Sequence, residues 1–414
     1  MKILTTTTLL FLANTLFSQV TGCTDSHATN FNANATQNDG SCVYSTTTIV
    51  PQHSFVLSNA IDETSGLILF DDVLLTHNDD SDTKLYQLDL TNGSTMSTVQ
   101  IPTVSNVDWE DIAQDEHYIY IGDFGNNATG IRTDMKIYRF LKSEWENPTT
   151  IDTIQFSYET QTDFTTSAAN ATNFDCEAFI VTEDKIYLFT KEWISNATSI
   201  FELEKAPGQQ EAVLKGTLNV EGLITGATHF EEKKLIALSG YSTSLSPFVY
   251  LLYDFDGSDF LSGNKRKINL NLPFHQVEGI ATADGLNYYI SNEKFSQSII
   301  NVEQKLHRFD LSPYLDVYFY PEILLVDKLQ ATTPFRVYPN PIVDGFHVLF
   351  SEFSENEYIT YELIDPTGKS ILKNILKSKN QQVELGAFNL KSGFYTVLFE
   401  NATTNTQHVV SIFK

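Results

Sequence analysis

One short pattern, met five times at intervals near fifty residues, limits the folds open to this 414-residue chain. It is clearest in Asp108-Trp109-Glu110-Asp111-Ile112-Ala113. It returns as Glu63-Thr64-Ser65-Gly66-Leu67, Asp175-Cys176-Glu177-Ala178-Phe179, Leu223-Ile224-Thr225-Gly226-Ala227 and Gln276-Val277-Glu278-Gly279-Ile280-Ala281. Each copy holds one oxygen-bearing side chain, Ser65, Glu110, Glu177, Thr225 or Glu278, at successive spacings of 45, 67, 48 and 53 residues. An alternating apolar run follows each, as in Tyr118-Ile119-Tyr120-Ile121 and Lys185-Ile186-Tyr187-Leu188-Phe189. Short strands repeated at this period predict an all-β chain built on a β-propeller, here over residues 49–326. Five blades are read, and six if 316–326 forms part of another. The fifth lacks a clear fourth strand, which His53 to Leu57 would supply, closing the ring and hiding its edges.

The architecture gives the polar residues a reason. The innermost strand of every propeller blade lines the central channel, so Ser65, Glu110, Glu177, Thr225 and Glu278 converge on one axis. Three carboxylates and two hydroxyls aimed at one point repel and are poorly solvated without a cation between them. All-oxygen ligation suits a hard cation, and Ca2+ is the expected occupant. The plainer alternative is that these groups bind channel water and neighbouring backbone.

Acidic residues outnumber basic ones 52 to 26, a formal charge of -26, so nucleic acid and acidic membrane surfaces are excluded as expected partners. No internal run has the length of a membrane-spanning helix. Residues 1–19 read as a signal peptide, with Lys2, the apolar core Leu9-Leu10-Phe11-Leu12-Ala13 and cleavage near Ser18 or Gln19. Residues 20–48 form a small module and linker. There Cys23 and Cys42, in an exported stretch with almost no apolar content, suggest a disulfide. The run Gly22-Cys23-Thr24-Asp25 to Asp39-Gly40-Ser41-Cys42 resembles a short module of secreted bacterial proteins. Cys176, beside Glu177 in an apolar strand, reads as a buried free thiol.

Polar groups at second-strand ends share one channel mouth, and His77, Asp79, Asp123, Asn126, Lys191 and Asn292 are candidate contacts for an unknown extracellular ligand. Turn chemistry alone also places Asp, Asn and Gly there. The long polar stretch Glu159 to Asn173 is a candidate functional loop. Arg132 and Arg139 are read either as anion contacts or as partners of surface carboxylates.

Ser65, Glu110, Glu177, Thr225 and Glu278, in that order over five blades, resemble the ligand positions of calcium-activated apyrases. These are secreted nucleotidases with a five-bladed propeller and a central calcium. Thr225 replaces a serine of that family. Asn78-Asp79-Asp80-Ser81 lacks the arginine that follows the family's paired aspartates, and Thr190-Lys191-Glu192 lacks its paired arginines. The resemblance therefore implies the calcium more than the nucleotide hydrolysis. Asp108 to Ala113 with Gly122 to Asn127 also resembles bacterial secreted propellers from which no activity follows.

After a linker at 327–333, residues 334–414 carry Phe335-Arg336-Val337-Tyr338-Pro339-Asn340-Pro341, Tyr361 to Lys369 and Leu390 to Val397. Alternating strands between Pro-Asn-Pro and Thr-Gly turns predict a small β-sandwich. The segment resembles the type A C-terminal sorting domain of type IX secretion cargo. That implies passage through the periplasm, recognition by the type IX secretion machinery, and release or attachment at the outer-membrane surface. The propeller is expected to be a calcium-stabilised binding or scaffold module. The alternative is a metal-dependent extracellular hydrolase of phosphoesterase, nucleotidase or lactonase type. Spacing fixes no nucleophile–base or carboxylate pair for catalysis.

Overall fold

Strands that alternate apolar and polar residues bury one face, whereas those apolar throughout must be covered on both. The chain uses this distinction radially. Cys176–Val181 is buried along its whole length, while Thr95–Gln100 is almost wholly exposed. The first kind lies innermost in its sheet and the second at the rim. The computed structural model describes residues 19–320, except 81, 166 and 167. In the C-terminal segment it describes 335–338, 346–350, 358–365, 368–377, 382–385, 390–391, 393–401 and 407–414. The expected signal peptide (save Gln19), the linker 327–333 and the Pro339-Asn340-Pro341 turn lie outside these residues.

Two compact units result, residues 1–319 and 320–414. The first contains antiparallel strand quartets. The first quartet is Thr64–Phe70, Val73–Asn78, Lys84–Leu88 and Thr95–Gln100, and the second is Trp109–Gln114, Tyr118–Asp123, Lys136–Leu141 and Asp152–Tyr158. The third is Cys176–Val181, Lys185–Thr190, Ala197–Glu204 and Gly208–Asn219. The fourth is Leu223–Phe230, Leu235–Tyr241, Pro247–Tyr253 and Asn264–Leu270. Val277–Thr282, Asn287–Asn292 and Lys305–Asp310 begin a fifth, and the early strand His53–Val56 completes it by pairing antiparallel with Lys305–Asp310. The outer strands of the second and third quartets pair in parallel, fusing them into one eight-stranded sheet.

Each inner strand packs against the next, and Val277–Thr282 returns to Thr64–Phe70, so the inner strands form a closed ring. An apolar cluster fills each junction. Ile68, Ile112 and Phe140 lie between the first and second quartets, and Phe156, Phe179 and Phe201 between the second and third. Leu238, Phe248 and Ile180 join the third to the fourth, and Tyr253, Ile280 and Phe309 the fourth to the fifth. Leu67, Ala281 and Leu306 seal the seam between fifth and first. His307 ties the closing strand His53–Val56 into the fifth quartet. Its Nδ1 accepts from the Ser54 hydroxyl at 2.7 Å, and its Nε2 donates to Asn292 Oδ1 at 2.8 Å.

The sixth blade considered for 316–326 is not formed by its described part. Ser312–Phe319 is an α-helix, started where Pro313 suits a first helical turn, and Leu315 and Phe319 are buried against the cluster between the fourth and fifth quartets. Cys23 and Cys42 are bonded, at an S–S distance of 2.03 Å. Their module rests on the fourth quartet. Asp25 accepts from Tyr44 and Tyr253 hydroxyls at 2.8 and 2.6 Å, and Asn38 donates to Asp254 and Asn264.

The second unit holds two antiparallel sheets. Phe335–Tyr338, Phe346–Phe350 and Gln382–Leu385 form one. The other runs Ser370–Lys377, Tyr358–Ile364, Phe394–Asn401 and Gln407–Phe413. Ile359, Tyr361, Leu363, Val397 and Phe399 are buried at every second position, which is the period a half-buried strand requires.

Candidate functional site

The inner strands share an irregularity as well as a motif. Where each pairs with its second strand, the register slips, and the slip falls on the repeated polar residue or directly after it. Glu110, Glu177 and Thr225 are each the extra residue of a bulge. Glu278 with Gly279 forms another, and Ser65 immediately precedes Gly66 and Leu67 in the last. A bulge bends its strand and re-aims a side chain. It turns these residues out of the alternation that would otherwise send them between quartets.

The result is a cavity of about 180 Å³ at the entry end of the inner strands. Ser65, Glu110, Glu177 and Glu278 line it together with Asp79, Lys191 and Glu293. Trp193 and Tyr241 complete its wall. Thr225, although fully buried, is not among the lining residues, and its hydroxyl donates to Val277 O at 2.6 Å. Ser65 likewise donates to Glu110 O at 2.5 Å, so both hydroxyls bind one inner strand to the next. Close approach has its own requirement at Gly125, where a Cβ would fall 2.1 Å from Glu110 Oε1 and 2.4 Å from Asp108 Oδ2. Only a glycine loop can pass the carboxylates there.

Lys191 is the cation of this cavity. Its Nζ lies 3.1 Å from Glu177 Oε1, with the Trp193 and Tyr241 rings 4.9 and 5.5 Å away. Burial works against its charge, but Glu177, Tyr241, Glu278 and Asp175 outweigh it and hold the ammonium well above its ordinary pKa. Carboxylates nonetheless exceed cations. Burial first, then the neighbouring Glu177 and Asp108, push Glu110 well above the usual carboxylate range. Glu278 is raised by burial against the pull of Lys191, and its Oε2 is a buried atom with no hydrogen-bond partner. Asp79 is lifted to about 7 and Glu293 to about 8, in both cases chiefly by burial and then by nearby acids.

Of the expected mouth residues, Asp79 and Lys191 reach this cavity. The other four serve the scaffold. His77 is buried edge-on to Trp109 and donates to Asn78 O, and Asp123 pairs with Arg132 at 2.9 Å. Asn126 donates to Phe174 O and accepts from Arg132 N, and Asn292 anchors His307. Arg139 pairs with Asp152 over the Tyr118 ring. From the long polar loop, Asn170 joins the lining.

Sequence reasoning missed Glu293, Trp193, Tyr241 and a second ring of acids. Asp108 and Asp175 sit two residues before Glu110 and Glu177 and both lie close enough to Glu110 to raise its carboxyl, and Glu63 and Gln276 hold the matching places before Ser65 and Glu278. Asp175 accepts from Trp193 Nε1 at 2.7 Å and from Asn126 N. Asp111 was also passed over. Fully buried, it accepts from the backbone of Phe179 and Ala227, joining three inner strands at one carboxylate.

The opposite ends of the inner strands open into a wider cavity of about 730 Å³. Gln114, Thr182, His229 and Thr282 lie around it, and Asp115 there is paired with Lys205 at 2.5 Å. The repeated carboxylates face the narrow end alone.

Residues 336–412 match the family model described as a secretion system C-terminal sorting domain. The C-terminal segment is a secretion sorting domain. It marks the chain for export to the cell surface or the extracellular space. No curated protein matches the chain. Among solved structures, PorZ, an essential bacterial surface component of the type-IX secretion system of Porphyromonas gingivalis, is 12% identical with a TM-score of 0.31. That alignment covers 84% of this chain and 44% of PorZ, so this chain spans less than half of its length. Myxococcus xanthus glutaminyl cyclase is 12% identical over 64% of this chain and 100% of its own, with a TM-score of 0.40. The exo-beta-1,3-galactanase of Phanerochaete chrysosporium is 9% identical over 88% and 98%, with a TM-score of 0.38. No helix among the described residues is long and apolar enough to cross a membrane.

Proposed function

We propose that this chain is cargo of the type IX secretion route whose five-bladed β-propeller acts outside the cell as a calcium-stabilised binding module. The closed ring of inner strands and the strand His53–Val56 support the five-bladed reading. The observation that carries the calcium is the charge imbalance of the narrow cavity. Asp79, Glu110, Glu177, Glu278 and Glu293 line it against Lys191 alone. The donor set fits a hard dication, being all oxygen and including the partnerless Glu278 Oε2. Glu110, Glu177 and Glu278 would hold the ion with Ser65, and Thr225 would act from behind by fixing the fifth inner strand. The ion supplies charge neutralisation common to several quartets. Lys191 then keeps one Glu177 oxygen, while Trp193 and Tyr241 give an extracellular ligand an aromatic wall.

A second reading, a metal-dependent hydrolase, rests on Asp79 and Glu293, whose carboxyls near 7 and 8 can exchange protons at neutral pH. Chelation tests the calcium, and it should lower the melting temperature of the purified protein. Glu110→Gln should blunt that response. Melting indifferent to chelator, with no metal found by elemental analysis, refutes the calcium. Turnover of phosphate esters or lactones that Asp79→Asn abolishes would favour the hydrolase over the binding module.

A further inference from the structure

The two ends of the ring differ in what their loops expose. At the narrow end, where the inner strands begin, Val107, Phe164, Ile194, Phe274 and Ile299 are exposed, each on a different loop. The loops of the wide end join first strand to second and third to fourth, and among the described residues they expose no large apolar side chain. Single exposed apolar residues need no cause, but their restriction to the loops of one end does. Four of these loops also wall the narrow cavity. Asn170 shares its loop with Phe164, Trp193 adjoins Ile194, Gln276 follows Phe274 by two residues, and Glu293 precedes the hairpin that carries Ile299. Ile299 lies at the tip of that hairpin, between Phe295–Gln297 and Ile300–Val302, and at 93% exposure adds almost nothing to the packing of its own chain. Phe274 is 43% exposed and holds a φ of 66°, left-handed backbone that is costly for so bulky a residue.

We infer that, given the reading of the ring as a binding module, its partner is another protein, docked on this end through a face that mixes basic with apolar side chains. Size sets aside a free small molecule. The cavity of about 180 Å³ is below the roughly 300 Å³ at which ligand pockets begin, and has room for one inserted side chain. Charge then selects among macromolecules. Asp80, Asp163, Glu221 and Glu303 are exposed on the loops of this end, with no ion-pair partner among the described residues. Arg132, Lys191 and Lys294, the lysines and arginine of the same loops, are taken by Asp123, Glu177 and Asp62. A second copy, with its own formal charge of -26, is repelled, whereas lysine and arginine side chains are drawn in. The wide end is acidic too, so charge names the partner and the apolar residues name the face.

The probe is a synthetic peptide of lysine and leucine, titrated by calorimetry into the full-length protein with calcium present. Lysine–serine and glutamate–leucine peptides of equal length are the controls. The lysine–leucine peptide should bind at least about tenfold more tightly than either control. Ile299→Ser and Ile194→Ser should each weaken it by about tenfold, the worth of one buried apolar side chain. Added salt should weaken it further. Met96→Ser, at an exposed position on the rim strand of the first quartet, should change nothing, and unaltered melting shows that each variant is folded. No binding, equal binding of a control peptide, or binding indifferent to Ile299→Ser and Ile194→Ser overturns the docking surface. Self-association in ultracentrifugation that Ile299→Ser abolishes would give the surface to a second copy and overturn the basic partner. The variants alter no carboxylate, so failure of the calcium, read in melting, and failure of the docking surface, read in titration, are separate results.

Discussion

Replacing Lys191 by methionine strands Glu177 in a place with little water. Lys191 and Glu177 are 5% and 2% exposed, and their Nζ and Oε1 atoms lie 3.1 Å apart. At an effective dielectric near 20 their attraction is roughly 5 kcal/mol, and desolvation of both groups offsets much of it. Removing one member of a buried pair costs about 3–5 kcal/mol, because the survivor keeps its desolvation without its partner. The Trp193 and Tyr241 contacts add about 0.5–2 kcal/mol. Trp109, Trp145 and Trp193 are the chain's three tryptophans, so their fluorescence follows urea unfolding of the first unit alone. In chelator, Lys191→Met should lower stability by at least about 3 kcal/mol. In a Glu177→Gln background the same change should cost less, by a coupling of about 0.5–3 kcal/mol. Calcium should recover part of the loss, since a dication can serve the carboxylates that Lys191 leaves. A cost under about 1 kcal/mol, or one unchanged by Glu177→Gln, would refute the assignment of Lys191 as the cavity's own counter-ion.

Other expectations follow from separate parts of the chain. Burial holds His307 at about 3, below its ordinary 6.5, so the unfolded chain takes up the proton first as pH falls. Its contribution is complete above pH 6.5 and is lost at about 1.4 kcal/mol per unit toward pH 3, and His307→Gln should flatten the measured pH–stability slope by that amount. Ser54→Ala removes the hydroxyl held by His307, and should destabilise the first unit by about 1–3 kcal/mol in the same unfolding assay. Under non-reducing conditions, mass analysis after alkylation in denaturant should find Cys176 modified and Cys23 and Cys42 not. Deleting 334–414 should leave the protein in the periplasm, and fractionation that finds it outside the cell would count against the sorting role.

The strand plan was legible because alternation and turn chemistry are local. Lys185 to Thr190 and Asn287–Asn292 could be read from a few residues each. The closing strand was legible too, from a quartet left one strand short. Lys191 was seen only as a mouth residue, for nothing in Thr190-Lys191-Glu192 says that a bulge in the neighbouring strand turns Glu177 toward it. Thr225 read as a ligand by its place in the repeat. Its hydroxyl is satisfied by Val277 O, a partner 52 residues on that the packing of neighbouring inner strands supplies. The sixth blade left open for 316–326 rested on Tyr318 and Phe319, residues that favour strands locally. Burial of Leu315 and Phe319 decided otherwise. The acids at positions 63, 108 and 175 carried a signal, two residues upstream of the repeated oxygens, that comparison of the repeats could have used.

The claim at the centre of this account is that a cation sits among Glu110, Glu177 and Glu278. Anomalous scattering from crystals grown with calcium tests it by position as well as presence. The account predicts a calcium peak within coordination distance, about 2.3–2.6 Å, of carboxylate oxygens from all three residues. A cavity in which Lys191 Nζ alone meets those carboxylates, with no anomalous peak, would contradict it.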